Sequence, residues 1–151
     1  MSTSPVAREK LRPRTIYLLN QANLAVRMQL EQELRTVGLT GIQYTVLSII
    51  GSRDGISSAE LSRRFFVTPQ SMGEIVSGLE RRGLLKRHHS PHSKRILTAH
   101  LTAAGQKLLE ESDAITDRIE QQMFQCLPDE DFAALRRIAS ALLSAARSQR
   151  A

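Results

Sequence analysis

Basic and histidine side chains are most concentrated in one cationic segment of this sequence, RRGLLKRHHSPHSKR, at positions 81–95. The segment holds six lysines and arginines and three of the chain's four histidines, and it contains no acidic residue. Guanidinium and ammonium groups bind oxyanions, and a run of them suits the phosphates of a polymer backbone. The spacing therefore predicts a surface that contacts a polyanion.

The histidines permit a second interpretation, because neutral imidazole is a common zinc ligand. His88, His89 and His92 lie in the cationic segment, and His100 follows it. No cysteine lies nearby, however, and adjacent residues of an extended strand point to opposite faces. We interpret these histidines as side chains near phosphate, predict no metal or other cofactor, and keep a metal-responsive protein as an alternative.

Cys126 is the only cysteine, which excludes an internal disulfide framework and fits a reducing compartment. It continues an apolar stripe, so we expect a buried structural thiol rather than a redox switch. The N-terminal residues lack the apolar core of a signal peptide, and the longest apolar run, 46–50, is far too short to span a bilayer. The expected location is the cytoplasm, with no membrane partner.

The sequence contains no common catalytic signature. It has no GxxxxGK[ST] phosphate loop, no GxSxG nucleophile elbow, no HExxH zinc motif and no cysteine close to a histidine. We therefore expect a binding protein and not an enzyme. The net charge of +6 and the pI of about 10.2 favour a polyanionic partner, while aromatic residues at 4% argue against a stacking platform for single strands.

Helix start and stop signals divide the chain into helices and one hairpin. Pro13 suits a helix start, and no breaker follows it until Gly38. Predicted N-caps and first-turn signals are Thr40, Ser57 with Glu60, Thr68 with Pro69, Thr102, and Pro128 with Asp129, Glu130 and Asp131. Gly83 supplies a helix stop, and the turn formers at 90–93 separate two predicted strands, 84–89 and 95–101.

Two short helices followed at once by a hairpin predict a winged helix-turn-helix. The fold class is mainly α with a small β-hairpin wing, that is, α+β. We expect one domain over residues 1–151, with a DNA-binding lobe at 38–102 and helical arms at 13–37 and 103–147. The arms carry amphipathic stripes that need cover, and a two-fold homodimer through them is the economical solution.

The second helix of the motif has one apolar face and one polar face. Met72, Ile75, Val76 and Leu79 face the core at helical spacing, which leaves the opposite face free to enter a major groove. The residues predicted to contact double-stranded DNA are Thr68, Gln70, Ser71, Gly73, Glu74, Ser77, Arg81, Arg82, Lys86, Arg87, His92, Lys94 and Arg95. The arginines and lysines near 81–87 suit phosphates, and Lys94 and Arg95 suit a minor groove.

The sequence resembles the MarR family of bacterial transcriptional regulators. The resemblance rests on GLTGIQYTVL (38–47), AELSRRFFVTPQSMGEIVSGLERRGLLKR (59–87) and LTAAG (101–105). It implies a homodimeric winged-helix repressor of a pseudo-palindromic, inverted-repeat operator, with Arg95 as the wing-tip arginine. Ser93 departs from the family pattern, which has an Asp there, and Glu74 occupies a position that is often basic or neutral.

The resemblance also implies an effector, often a phenol or an aromatic carboxylate, bound between the arms and the DNA-binding lobes. Arg27 and Asn23 lie in the middle of the apolar stripe of the first helix, where an unpaired charge is costly. We predict that Tyr17, Asn20, Asn23, Arg27 and Tyr44 line this site. Alternatives are an ion pair of Arg27 with an acid of the fifth helix or the partner chain and, for the whole protein, a structural nucleic-acid binder without an effector.

Overall fold

The computed structural model describes residues 13–53 and 55–149. Residues 1–12, on which the absence of a signal peptide was argued, lie outside them. The helices are α1 (Thr15–Leu34), α2 (Gly41–Gly51), α3 (Ser58–Phe65), α4 (Pro69–Arg81), α5 (Ala103–Phe124) and α6 (Asp129–Ser148), and a 3₁₀ turn (Arg35–Val37) follows α1. The strands are β1 (Ile56–Ser57), β2 (Leu85–Ser90) and β3 (Ser93–Leu101). The predicted class, mainly helical with a small sheet, is confirmed.

Side-chain caps begin the helices where the sequence predicts them. The hydroxyl of Thr40 accepts from the backbone of Gln43, and that of Ser57 accepts from the backbone of Glu60; each pair completes a capping box. Thr68 and Thr102 accept from backbone N–H groups in the same way at α4 and α5. These bonds satisfy amide groups that a helix end leaves unpaired, so each start is fixed locally. Pro13 instead precedes the helix, because the N-cap of α1 is Arg14.

The sheet is antiparallel, with strand order β1-β3-β2. Leu85 pairs with Leu101 at the base of the hairpin, and Ser90 pairs with Ser93 at its tip. The short strand β1 was not predicted; Ile56 pairs with Ala99 across the central strand. This pairing anchors the hairpin to the start of α3 and thus to the helix-turn-helix.

The core lies between the sheet, α5 and the helices of the DNA-binding lobe. Its fully buried side chains include Leu47, Ile50, Leu61, Met72, Val76, Leu79 and Leu85. The predicted inner face of α4 is confirmed, with Ile75 partly buried beside the other three. On α5 the buried residues are Gly105, Leu109, Ser112, Ile115 and Ile119, whereas Leu108 is partly buried and Gln122 is exposed.

The two terminal helices leave apolar side chains in solvent within the single chain. On α1 these include Ile16, Leu18, Leu19 and Met28, and on α6 they are Leu135, Ile138, Leu142 and Leu143. No described residue of α6 is buried. The predicted burial of Cys126 is wrong: α5 ends at Phe124, and the thiol is exposed beyond it, with only the carbonyl of Met123 as an acceptor.

Candidate nucleic-acid interface

The outward face of α4 is polar and accessible. Gln70, Ser71 and Glu74 are exposed, whereas Gly73 and Ser77 are partly buried. The amide of Gln70 donates to the carboxylate of Glu74 over 3.5 Å, a contact weak enough to exchange for a base edge. Thr68 and Ser71 are joined by the capping bond and by a 2.9 Å bond between their hydroxyls.

Gly73 keeps one patch of this face flat. A Cβ built on Gly73 would have no heavy atom within 4 Å, so packing within the chain does not explain the glycine. An alanine there would make the helix more stable in isolation, since glycine costs a helix interior roughly 0.5–1 kcal/mol. The missing side chain is thus consistent with close approach of another molecule to the α4 backbone.

Arg87, at the start of the wing, is bound to Glu80 at the end of α4. Its Nε donates to Oε2 of Glu80 over 2.9 Å, and its backbone N–H donates to Oε1 over 3.1 Å. Its Nη2 also forms an ion pair with Glu80 and donates to the hydroxyl of Ser77 over 3.3 Å. The hydrogen bond from the Arg87 side chain is the largest of the effects that lower the pKa of Glu80. Arg87 therefore faces α4 and holds the wing against it.

The other predicted cations are free at the surface. Arg81, Arg82 and Lys86 are exposed near the end of α4, and Lys94 and Arg95 are exposed on the hairpin with His92. Across residues 13–53 and 55–149, the pair of Arg87 with Glu80 is the only ion pair. A surface whose cations have no internal acidic partner retains its charge for an anionic one.

Hydroxyl groups order the wing tip. Ser93 accepts from the backbone N–H of Arg95 over 3.3 Å, and Ser90 accepts from that of His92 over 3.2 Å. Ser93, which stands where the family pattern has an Asp, therefore supports the backbone that carries Arg95. It supplies the acceptor without the negative charge.

The histidines do not assemble into a metal cluster. The rings of His88 and His100 are 5.4 Å apart, and Nε2 of His100 lies 3.0 Å from the hydroxyl of Thr98. In the part of the chain that the structure describes, no group of three or more His, Cys, Asp or Glu residues is placed to hold a metal ion.

The residues predicted to bind an effector lie in two places. Tyr17, Asn20, Asn23 and Arg27 are exposed on α1. The groove that Arg27 lines is formed with Leu24, Met28, Glu31, Gln32 and Arg35, all from α1 and the turn after it. Tyr44 instead donates its hydroxyl to Oδ1 of Asp113 on α5 over 2.8 Å. The alternative ion pair of Arg27 with an acid of α5 is absent from the described residues.

Two features of the site were not predicted from the sequence. Glu80 was not assigned a role, although an acid at the end of α4 is the obvious partner for an arginine at the start of the next strand. The second is a cavity that brings Arg63, Arg64 and Arg147 together. Arg147 lies far from the other two in sequence, so no local spacing indicates this cluster.

The chain is similar in sequence to known transcriptional regulators. A model described as "MarR family" matches residues 37–96. The HTH-type transcriptional repressor Rv2887 of Mycobacterium tuberculosis is 36% identical over 99 residues, which cover 66% of this chain and 71% of that protein. Transcriptional regulator HosA of Escherichia coli O111:H- is 32% identical over 93 residues, or 62% of this chain and 69% of that protein.

Solved structures agree with this result. The Rv2887 protein in complex with salicylic acid has a TM-score of 0.71 at 29% identity and covers 88% of this chain and 98% of its own. Wild-type MarR from E. coli, in its apo form, has a TM-score of 0.75 at 21% identity and covers 87% of this chain and 98% of its own; this likeness shows the fold.

Fold and sequence together define a winged-helix transcriptional regulator rather than an enzyme. The chain belongs to the MarR family, whose members bind DNA. Within the described residues, no helix has the length and apolar character needed to cross a membrane.

Proposed function

We propose that this regulator is a homodimeric repressor that binds a pseudo-palindromic operator and is released from it by a small aromatic acid or phenol. The main observation in favour of a DNA-binding surface is the exposed polar face of α4 beside a hairpin whose cations, apart from Arg87, have no acidic partner among the described residues. Repression is proposed because the related Rv2887 protein is named a repressor.

The polar face of α4 and the surrounding cations have different roles in this proposal. Gln70 and Glu74 contact base edges in the major groove, where Gln suits adenine and Glu accepts from cytosine. Arg81, Arg82 and Lys86 neutralise phosphates, and Arg95 with Lys94 enters the adjacent minor groove. Arg87 positions the wing through Glu80, because its guanidinium is already engaged.

The dimer follows from the terminal helices. Ile138 and Leu142 on α6 are about half exposed, and Ile16 and Met28 on α1 are still more exposed. Burying such side chains against a second copy gains roughly 25 cal/mol for each Å² of apolar surface. The proposal therefore assigns 13–37 and 103–147 to dimerisation and 38–102 to DNA within one domain.

The effector class rests on a relative. The Rv2887 protein has been solved with salicylic acid and with p-aminosalicylic acid. An arginine fork suits the carboxylate of such molecules, and this chain offers Arg27 on α1 as one candidate partner.

Fluorescence anisotropy with fragments from the DNA around the gene tests the proposal. A specific regulator will select an inverted repeat with half-site centres about 34–36 Å apart. It will bind that site at least about 10³-fold more tightly than a scrambled duplex at physiological salt. Equal affinity for both duplexes indicates a structural nucleic-acid binder and refutes the repressor. Salicylate added to the bound complex will release the DNA if the effector class is correct.

A further inference from the structure

A concave site lies between the helix-turn-helix and the end of α6. Its volume is about 520 Å³, and its lining includes Glu60, Arg63, Arg64, Val67, Pro69 and Arg147. This volume lies within the usual range for small-molecule sites. Three arginines and one glutamate give its walls an excess of positive charge.

The guanidinium of Arg147 is incompletely satisfied. Its Nε is buried and has no hydrogen-bond partner, although Arg147 lies on the cavity wall. A buried donor without an acceptor is unusual in a native protein, and a bound oxygen atom is one way to satisfy it. An oxyanion in the cavity would supply that acceptor.

Arg64, on the same cavity wall as Arg147, is close to other positive charges. Burial, followed by the guanidiniums of Arg53 and Arg147, lowers the pKa of Arg64. Glu60 acts in the opposite direction on Arg64, but its carboxylate is already engaged with the backbone and hydroxyl of Ser57. No ion pair with a described residue neutralises Arg63, Arg64 or Arg147.

A simpler explanation is that these arginines only offset helix dipoles. Arg63 and Arg64 lie in the last turn of α3, and Arg147 lies in the last turn of α6, where cations are favourable. That effect requires only charge near each helix end. It requires neither a shared cavity nor the burial of Nε, so the dipoles do not account for the whole arrangement.

We propose that this cavity binds a small organic carboxylate, with Arg147 and Arg64 holding the carboxylate and Val67 and Pro69 contacting its apolar body. The site differs from the predicted group on α1 and Tyr44. Because it touches both α6 and the turn between α3 and α4, its occupancy would couple the dimer arm to the DNA-binding helix. That regulatory consequence rests on the proposed function, whereas binding itself does not.

Calorimetry of the full chain with benzoate, in the absence of DNA, tests the site. We expect benzoate to bind and the neutral isostere benzamide to bind at least about tenfold more weakly, since charge supports the contact. Arg147→Gln and Arg64→Gln should each weaken benzoate binding by about tenfold or more. Arg147→Lys should give an intermediate loss, because it keeps the charge and loses the fork.

A matched variant locates the binding. Arg137→Gln removes an exposed arginine from the same helix, outside the cavity, and should leave the benzoate affinity unchanged. The proposal is overturned if benzoate does not bind, if Arg147→Gln binds it like the parent, or if Arg137→Gln weakens binding as much as Arg147→Gln does. Circular dichroism of each variant confirms that the fold is intact.

DNA phosphate is the other oxyanion that these arginines could contact, and a separate DNA-binding experiment distinguishes it from a small carboxylate. Without benzoate, Arg147→Gln should bind DNA within about twofold of the parent, with the same dependence on salt. If the slope of log affinity against log salt concentration became shallower by about one, Arg147 would be a contact to a DNA phosphate. That result would overturn the proposed carboxylate site. Loss of operator selection with benzoate binding intact would remove the proposed function and leave the site in place.

Discussion

Glu80 and Arg87 lie seven positions apart in different elements, and three hydrogen bonds join the carboxylate of one to the backbone and side chain of the other. The first residue belongs to the last full turn of α4, and the second belongs to β2. The pair therefore fixes the angle between the helix and the wing. In the proposed complex these two elements must reach adjacent grooves together.

Glu80→Gln will weaken this connection. About a third of each side chain is exposed (28% for Arg87 and 34% for Glu80), so we expect a loss of only about 0.5–1 kcal/mol in the free energy of unfolding. DNA affinity should fall by about threefold to tenfold through loss of wing position. Urea denaturation and anisotropy measure the two effects. Glu74→Gln, at an exposed acid without an ion pair, should leave stability unchanged.

The same pair predicts a pH dependence. Because Arg87 lowers the pKa of Glu80 below its ordinary value of 4.5, the stabilising contribution is complete above that value. It is lost as the pH falls through the pKa of the folded protein. The difference in unfolding free energy between the parent and Glu80→Gln should accordingly shrink on acidification below about pH 4.5. A difference that stays constant with pH would contradict the ionic contact.

Gly73→Ala separates folding from DNA binding. The new methyl group meets no atom of the chain, and alanine favours the helix, so stability should rise by about 0.5–1 kcal/mol. In the proposed complex the methyl group lies between α4 and the DNA and should lower operator affinity. On one preparation, thermal unfolding measures the expected rise in stability, and fluorescence anisotropy measures the expected fall in operator affinity. Unchanged affinity would remove Gly73 from the interface.

Gly105→Ala should have the opposite effect on stability. A Cβ on Gly105 would overlap the carbonyl of Leu84, which accepts a hydrogen bond from the backbone of Thr102. The backbone must shift to make room, at a cost of roughly 1–3 kcal/mol. Urea denaturation beside Gly73→Ala compares the same chemical change at a crowded and an open site. A stabilised Gly105→Ala would show that the contact is loose.

Dimerisation through α6 is tested by Ile138→Glu. A charge on the exposed apolar face should make the protein monomeric at micromolar concentration, because a carboxylate buried without a partner is costly. Ser140→Glu adds the same charge on the opposite side of the helix and should leave the dimer intact. Sedimentation velocity distinguishes the two. A dimeric Ile138→Glu would place the interface elsewhere.

The features predicted correctly from the sequence are local ones. Thr40, Ser57, Thr68 and Thr102 cap helices through bonds to residues three positions ahead, so the sequence spacing contains the signal. The strand β1 exists only because Ile56 meets Ala99, and two residues are too few to show alternation.

The errors have a common physical origin. Cys126 continues the helical spacing of α5 in the sequence, but the helix ends at Phe124 and the stripe ends with it. The cavity beside Arg64 depends on where α6 crosses the lobe, which periodicity does not encode. The grouping of Tyr44 with Arg27 in an effector site stays a prediction, and within the single chain the hydroxyl of Tyr44 donates to Asp113.

Tyr44 provides a final prediction at alkaline pH. Burial, chiefly, raises the pKa of its hydroxyl to about 12; among the smaller effects, the bond to Asp113 acts in the same direction and Thr116 opposes it. In a Tyr17→Phe background Tyr44 is the only tyrosine, so the absorbance of phenolate follows it directly. The midpoint should lie near 12 and should fall in Asp113→Asn, which removes the charge.

Because the pKa of Tyr44 is raised on folding, its protonated form stabilises the native state below about pH 10. That contribution declines between about 10 and 12 as the unfolded chain ionises first. The parent should therefore lose stability relative to Tyr44→Phe over this range, after an advantage of about 1 kcal/mol from the hydrogen bond at neutral pH. Circular dichroism at each pH establishes that the chain is folded. A midpoint near 10 in the folded protein would mean that the hydroxyl is free in solvent and that α2 and α5 are not joined there.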